Sequence, residues 1–190
     1  MTRKKLVLVL DLLLFIVLVL IDQYTKYLAI VHLRGKDAYV LLDGVLELTY
    51  VENHGAAFGI LQNAGIFFVV IAIVILCAII YALWRTPYKR KYFLFHFVLT
   101  VLCAGACGNL IDRLNSTYVV DFIYFSLINF PVFNVADIYV TCSAVALFLT
   151  MFTVYKDEEF AFLKLSGKHT RKDASHETVL EEETSGDSEK

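Results

Sequence analysis

Proline is nearly absent: Pro87 and Pro131 are the only two in 190 residues. Charge is scarce too, with 19% Asp, Glu, Lys and Arg against 58% hydrophobic residues and a mean hydropathy of +0.65. A soluble domain of this length carries more charge and shorter apolar runs, so the composition excludes one. Cys77, Cys103, Cys107 and Cys142 lie inside apolar runs, with no Cys-x-x-Cys and no histidine at zinc spacing. They read as small packing residues, with neither a disulfide nor a metal assigned. A Gly-x-Ser-x-Gly elbow and a Cys–His arrangement are also missing. The basic residues sit at segment ends rather than on one face, which leaves no nucleic-acid footprint.

What is present is a set of long apolar runs. A bilayer needs about 20 helical residues, and four windows supply them: 6–26, 64–84, 92–111 and 132–155. The first follows a short basic start but no small-x-small cleavage site, and apolar character resumes at Tyr27, so it reads as a retained span rather than a signal peptide. The chain is expected to be an all-α membrane protein, with four transmembrane helices and a small extracytoplasmic β-hairpin or sheet. The hairpin is placed at 39–42 and 45–51, around the turn signal Asp43-Gly44. Phe130-Pro131 marks the start of the last helix.

Lys and Arg counts set the orientation. Arg3, Lys4, Lys5, Arg85, Lys89, Arg90, Lys91 and Lys156 fall on one side, and only Arg34, Lys36 and Arg113 fall in the opposite loops. Both termini are therefore expected in the cytosol, with loops 32–63 and 112–131 outside. Residues 1–156 hold twelve basic and nine acidic residues, whereas 157–190 hold five and ten. The first segment reads as the four-helix domain and the second as a disordered, acidic cytosolic tail.

Within this frame Asp112, Asp121 and Asp137 gather at the outer surface. Carboxylates at the mouth of a span are costly to keep and are functional candidates by default. Asn109 and Asp112 are spaced i, i+3, as are Asn134 and Asp137, which puts an amide beside a carboxylate on one helical face in each case. Asp121 is brought in by the outer loop. Two carboxylates in a poorly hydrated site share a proton and can hold a water between them. One then takes a proton from the water as it attacks a carbonyl while the other donates to the carbonyl oxygen. Such peptide hydrolysis needs neither metal nor covalent intermediate. Two other readings stay open from the residues alone: a small transporter or ion conduit relaying through Asp11, Asp112, Asp121 and Asp137, and a non-catalytic assembly factor. Asp22 and Lys26, at i, i+4, read as an interfacial end-clamp of the first helix. His96 reads as an interfacial or packed histidine, and Asp11 has no assigned partner.

Four stretches together resemble the lipoprotein signal peptidases (signal peptidase II), membrane aspartic proteases. They are Asp22-Gln-Tyr-Thr-Lys26, Asn53-His-Gly-Ala-Ala-Phe58, Gly108-Asn-Leu-Ile-Asp-Arg113 with Val119-Val-Asp-Phe122, and Phe133-Asn-Val-Ala-Asp137. The resemblance covers residues 1–155 and leaves the tail outside. It implies that Asp121 and Asp137 are the catalytic pair, and that Asn53, Asn109, Arg113 and Asn134 orient the substrate backbone and the pair. Asp112 supports the site, and Asp22 and Lys26 are structural. The implied substrate is a bacterial prolipoprotein with a diacylglyceryl-modified Cys, cut just before that Cys by a monomer working in lipid without a cofactor. His54 departs from the small hydroxyl residue usual in that slot.

Overall fold

The structure is a computed structural model that describes residues 2–55 and 65–153. Four helices in it are long and apolar enough to cross a membrane. They are α1 (Arg3–Leu33), α2 (Gly65–Arg85), α3 (Phe93–Ser116) and α4 (Val135–Thr153). Between α1 and α2 lie strands β1 (Tyr39–Leu42) and β2 (Leu46–Asn53), and between α3 and α4 lies β3 (Val119–Tyr124). Residues 154–190, and with them all of the acidic tail, fall outside the described residues, as do Ala56, Ala57 and Phe58.

Helix α3 is the axis of the bundle and packs against each of the other three. Its small residues make this possible. A Cβ on Gly105 would stand 2.6 Å from the Ala136 carbonyl oxygen and 2.9 Å from Val140 Cγ2. One on Gly108 would run into the Asp22 carboxylate. Backbones therefore approach closely where α1, α3 and α4 meet, as small residues permit in membrane bundles. Large apolar side chains such as Leu12, Leu20, Val74, Ile80 and Phe148 stay exposed on the outside of α1, α2 and α4. Such surfaces suit lipid rather than water.

Helix α1 is longer than the expected 6–26 window. At 31 residues it measures about 46 Å, beyond the roughly 30 Å of a hydrocarbon core. Asp22 and Lys26 are accordingly not an exposed clamp at a helix end. They sit two-thirds of the way along, buried at 0% and 3% exposure. Near the other end, Asp11 finds its partner on α3: its Oδ2 lies 2.9 Å from His96 Nδ1. His96 is itself buried and stacks on Tyr88.

The hairpin forms where Asp43-Gly44 predicts it. Gly44 takes φ +65°, and the Val45 N–H donates to the Leu42 carbonyl at 3.0 Å. The sheet, however, has three antiparallel strands in the order β1-β2-β3. Asp121 therefore sits on a strand, not in a loop. Loop 112–131 is shortened further at its start, because α3 continues through Asp112 and Arg113 to Ser116. It stops at Thr117, in the left-handed region at φ 64°, whose N–H donates to the Arg113 carbonyl. The last helix also starts later than Pro131 predicts. Phe133 remains extended: its carbonyl accepts from the Phe122 and Ile123 N–H groups, at 3.0 and 2.8 Å, and its own N–H donates to the Ile123 carbonyl. This bridge ties the entry of α4 to the middle of β3.

Candidate active site

Two local geometries bring the site together. Across β2 and β3, Asp121 pairs with Val51 and Asn53 pairs with Val119, so Asn53 and Asp121 are diagonal neighbours on one sheet face. The Asn53 amide donates to Asp121 Oδ2 at 2.8 Å. At the head of α4, Asn134 and Asp137 cap each other: the Asp137 N–H donates to Asn134 Oδ1 at 3.1 Å, and the Asn134 N–H donates to Asp137 Oδ2 at 3.0 Å. This is the reciprocal arrangement of a capping box, with aspartate in the acidic position. The bridge at Phe133 sets these two pieces side by side. Asn134 then spans them, since its Nδ2 donates to Asp121 Oδ1 at 2.6 Å. One asparagine thus holds both carboxylates.

Asn109 completes the set from α3. Its Nδ2 donates to Asp137 Oδ1 at 2.7 Å, and its Oδ1 accepts from Asn134 Nδ2 at 3.2 Å. The i, i+3 spacing had paired Asn109 with Asp112, and the structure separates them. Asp112 turns the other way, where it meets Lys26 Nζ at 2.9 Å, accepts from Gln23 at 2.9 Å and accepts from the Val120 N–H at 3.2 Å. Arg113 reaches the Gly55 and Asn109 carbonyls at 3.4 and 3.5 Å, with its guanidinium over the Phe68 ring. The described part of the Asn53-to-Phe58 stretch ends at Gly55, whose N–H is held by Asn53 Oδ1 at 3.0 Å. His54 is exposed and packs on Tyr118.

Behind the carboxylates lies a buried ionic cluster that helical spacing only half revealed. The Asp22–Lys26 contact, 3.0 Å, was legible as an i, i+4 pair. Its extension to Asp112 and Asn109, and the role of Gln23, were not. Asp22 also accepts from the Ala136 N–H at 2.9 Å, so it satisfies one of the otherwise unpaired N–H groups at the start of α4. A residue read as an anchor for its own helix proves to cap another.

The carboxylates open onto a cavity of about 1080 Å³. Asn53, Asn109, Arg113, Asp121 and Asp137 form its polar end, while Phe125, Ile128, Phe130, Val132, Phe133 and Val140 line an apolar flank. Asp121 is 2% exposed. Burial, and next the like charge of Asp137, push its carboxyl up to about 6, against the opposing hydrogen bonds from Asn53 and Asn134. A buried, proton-holding acid beside a second carboxylate, at the wall of a cavity with one polar end, can exchange protons with a bound molecule. Among the described residues no cluster of three or more His, Cys, Asp or Glu is suited to a metal ion.

Comparison with known proteins agrees with this architecture. A family model described as signal peptidase (SPase) II matches residues 14–153. The lipoprotein signal peptidase of Caldanaerobacter subterraneus subsp. tengcongensis is 45% identical over 130 residues, covering 68% of this chain and 86% of that protein. That of Brevibacillus brevis is 42% identical over 136 residues, covering 72% and 90%. Among solved structures, a bacterial membrane enzyme determined by the in meso method at 1.9 Å superposes with a TM-score of 0.65 at 31% identity, covering 76% of this chain and 94% of that one.

Proposed function

We propose, from the premise that this chain belongs to the signal peptidase II family and carries that family's peptidase function, that it is an aspartic endopeptidase acting through Asp121 and Asp137. The observation that carries the reading is Asn134, which binds Asp121 through its side chain and Asp137 through its backbone. With both carboxylates held against one residue, a water placed between them is activated by one while the other protonates the scissile carbonyl oxygen. Collapse of the tetrahedral adduct then needs a proton on the leaving nitrogen, which the acid formed in the first step returns. Asn53, Asn109 and Arg113 present polar groups along the cavity wall where an extended peptide backbone passes.

The substrate is a bacterial prolipoprotein whose Cys bears a diacylglyceryl group, and the cut falls before that Cys. The cavity supports this, since its polar end suits a peptide and its apolar flank suits acyl chains and a signal helix arriving from lipid. The sheet, the site and the chain reversal at 117–134 face the outside of the cell, and the first residues of α1 face the cytosol, as the distribution of Lys and Arg directs. A relay through several acids is not favoured. Asp11 is engaged with His96 and Asp112 with Lys26, so of these four acids it is Asp121 and Asp137 that line the cavity.

The test uses purified full-length protein with a diacylated precursor and its unlipidated counterpart. Cleavage of the first only is expected, with Asp121→Asn and Asp137→Asn both inactive yet folded. Full turnover by either variant overturns the aspartic assignment.

A further inference from the structure

We propose that Lys26 is a positioning residue that makes Asp137 the ionised, water-activating member of the pair; this rests on the aspartic reading above. An ammonium only donates hydrogen bonds and an ionised carboxylate only accepts them. Lys26 Nζ lies 2.9 Å from the Asn109 side chain, so the atom it faces must be the amide oxygen. The other end of the same amide is then an NH2, and it meets Asp137 Oδ1 at 2.7 Å. Lys26 thus fixes which way Asn109 points. Turned over, Asn109 would set an oxygen against a carboxylate and an NH2 against an ammonium.

The same logic propagates. With its oxygen facing inward, Asn109 also accepts from Asn134 Nδ2. That amide oxygen is in turn committed to the Asp137 N–H. Each amide in the chain has a single orientation, and the ammonium sets the first. Asp137 consequently receives a side-chain N–H on one oxygen and a backbone N–H on the other, in the first turn of a helix whose dipole favours negative charge. Asp121, set deeper on β3, keeps the proton.

Lys26 does not line the cavity itself and reaches it only through Asn109. It lies 3.0 Å from Asp22 and 2.9 Å from Asp112, so its own charge is compensated inside the bundle. Among the described residues, other charged or titratable groups facing this region are Arg113 and Cys107 on α3, Asp121 and Tyr124 on β3, Tyr139 and Cys142 on α4, and Glu52 and His54 at the end of β2. None of these contacts the oxygen end of Asn109, where Lys26 and Asn134 are the donors.

The experiment is the pH profile of kcat/KM for a diacylated precursor, together with the folded fraction from circular dichroism in detergent. The variant combines Lys26→Met with Asp112→Asn, which removes one charge of each sign from the cluster. Loss of the directing ammonium weakens the bond that holds Asp137 ionised, so the acid limb of the profile is expected to move up by about one pH unit. A purely structural role lowers the height of the profile and leaves the limb in place, which overturns the proposal. Lys26→Gln, uncharged and one bond shorter, serves if the double variant does not fold, and must move the limb the same way. Asp112→Asn alone keeps the Lys26–Asn109 contact, so an equal shift there also overturns it. Cleavage by Asp137→Asn would instead remove the aspartic reading itself.

Discussion

Replacing Asp121 by Asn is expected to make the protein less dependent on pH for its stability, and the size of that change follows from the site. In the folded chain the Asp121 carboxyl is pushed from 3.8 to about 6 by burial and by Asp137. Its folded value lies above its unfolded one, so between the two the native state binds more protons and stability falls as pH rises. The full gap corresponds to about 3 kcal/mol, of which about 2 kcal/mol falls between pH 4 and pH 7. The variant has no such titration. Asn also has one oxygen where Asp has two, so the donor from Asn53 or Asn134 loses its acceptor. That costs about 1–3 kcal/mol but is independent of pH. The informative quantity is therefore the difference between the wild-type and variant curves, not the height of either. Thermal unfolding followed by circular dichroism in one detergent across this range measures it. The variant should gain about 2 kcal/mol on the wild type from pH 4 to pH 7. Parallel curves would refute the claim that Asp121 is a strained acid.

Asp22→Asn is expected to lower stability by about 3–5 kcal/mol, because it breaks a fully buried pair with Lys26 and weakens the cap on Ala136; the yield of folded protein in the membrane measures it. Gly105→Ala places a methyl carbon 2.6 Å from a backbone oxygen of α4 that has little room to move. A loss of about 1–3 kcal/mol and a drop in cleavage should follow together, since the head of α4 carries Asp137. Removal of residues 160–190 should leave cleavage of a diacylated precursor unchanged in vitro, and an inactive truncation would give the acidic segment a part in catalysis.

The four helices and the hairpin were legible because apolar length and the Asp-Gly turn are local signals. The third strand was not, although Val119-Val-Asp-Phe-Ile-Tyr124 is rich in strand-forming residues. Its partner β2 lies some 70 positions earlier, across two whole transmembrane helices, and alternation is hidden when a strand is buried on both faces. The late start of α4 was hidden for a related reason. Pro131 is compatible with a first helical turn, but Phe133 is claimed by main-chain bonds to β3, and sequence offers no sign of them. The spacing rules picked out residues that the structure brings together, but they misassigned one partner, since Asn109 goes to Asp137 rather than Asp112, and they gave no sign that Asp22, besides pairing with Lys26, caps a helix other than its own.

The chemistry of the asparagines explains why the cluster is built in layers. A cation in direct contact with Asp121 would hold it ionised and leave no proton for a carbonyl oxygen. Neutral amides can fix the position of a carboxylate with less effect on its charge, and Asn53 and Asn134 are the side chains that donate to Asp121. Amides alone, however, are ambiguous, because oxygen and nitrogen can exchange places at little cost. The ambiguity has to be resolved by a group that can only donate. Lys26 fills that role from one amide away, and two aspartates from different helices, Asp22 and Asp112, keep its charge from standing alone inside the bundle. The distance between the ammonium and the carboxylates is thus a compromise: close enough to orient the amides, and far enough to let Asp121 keep its proton.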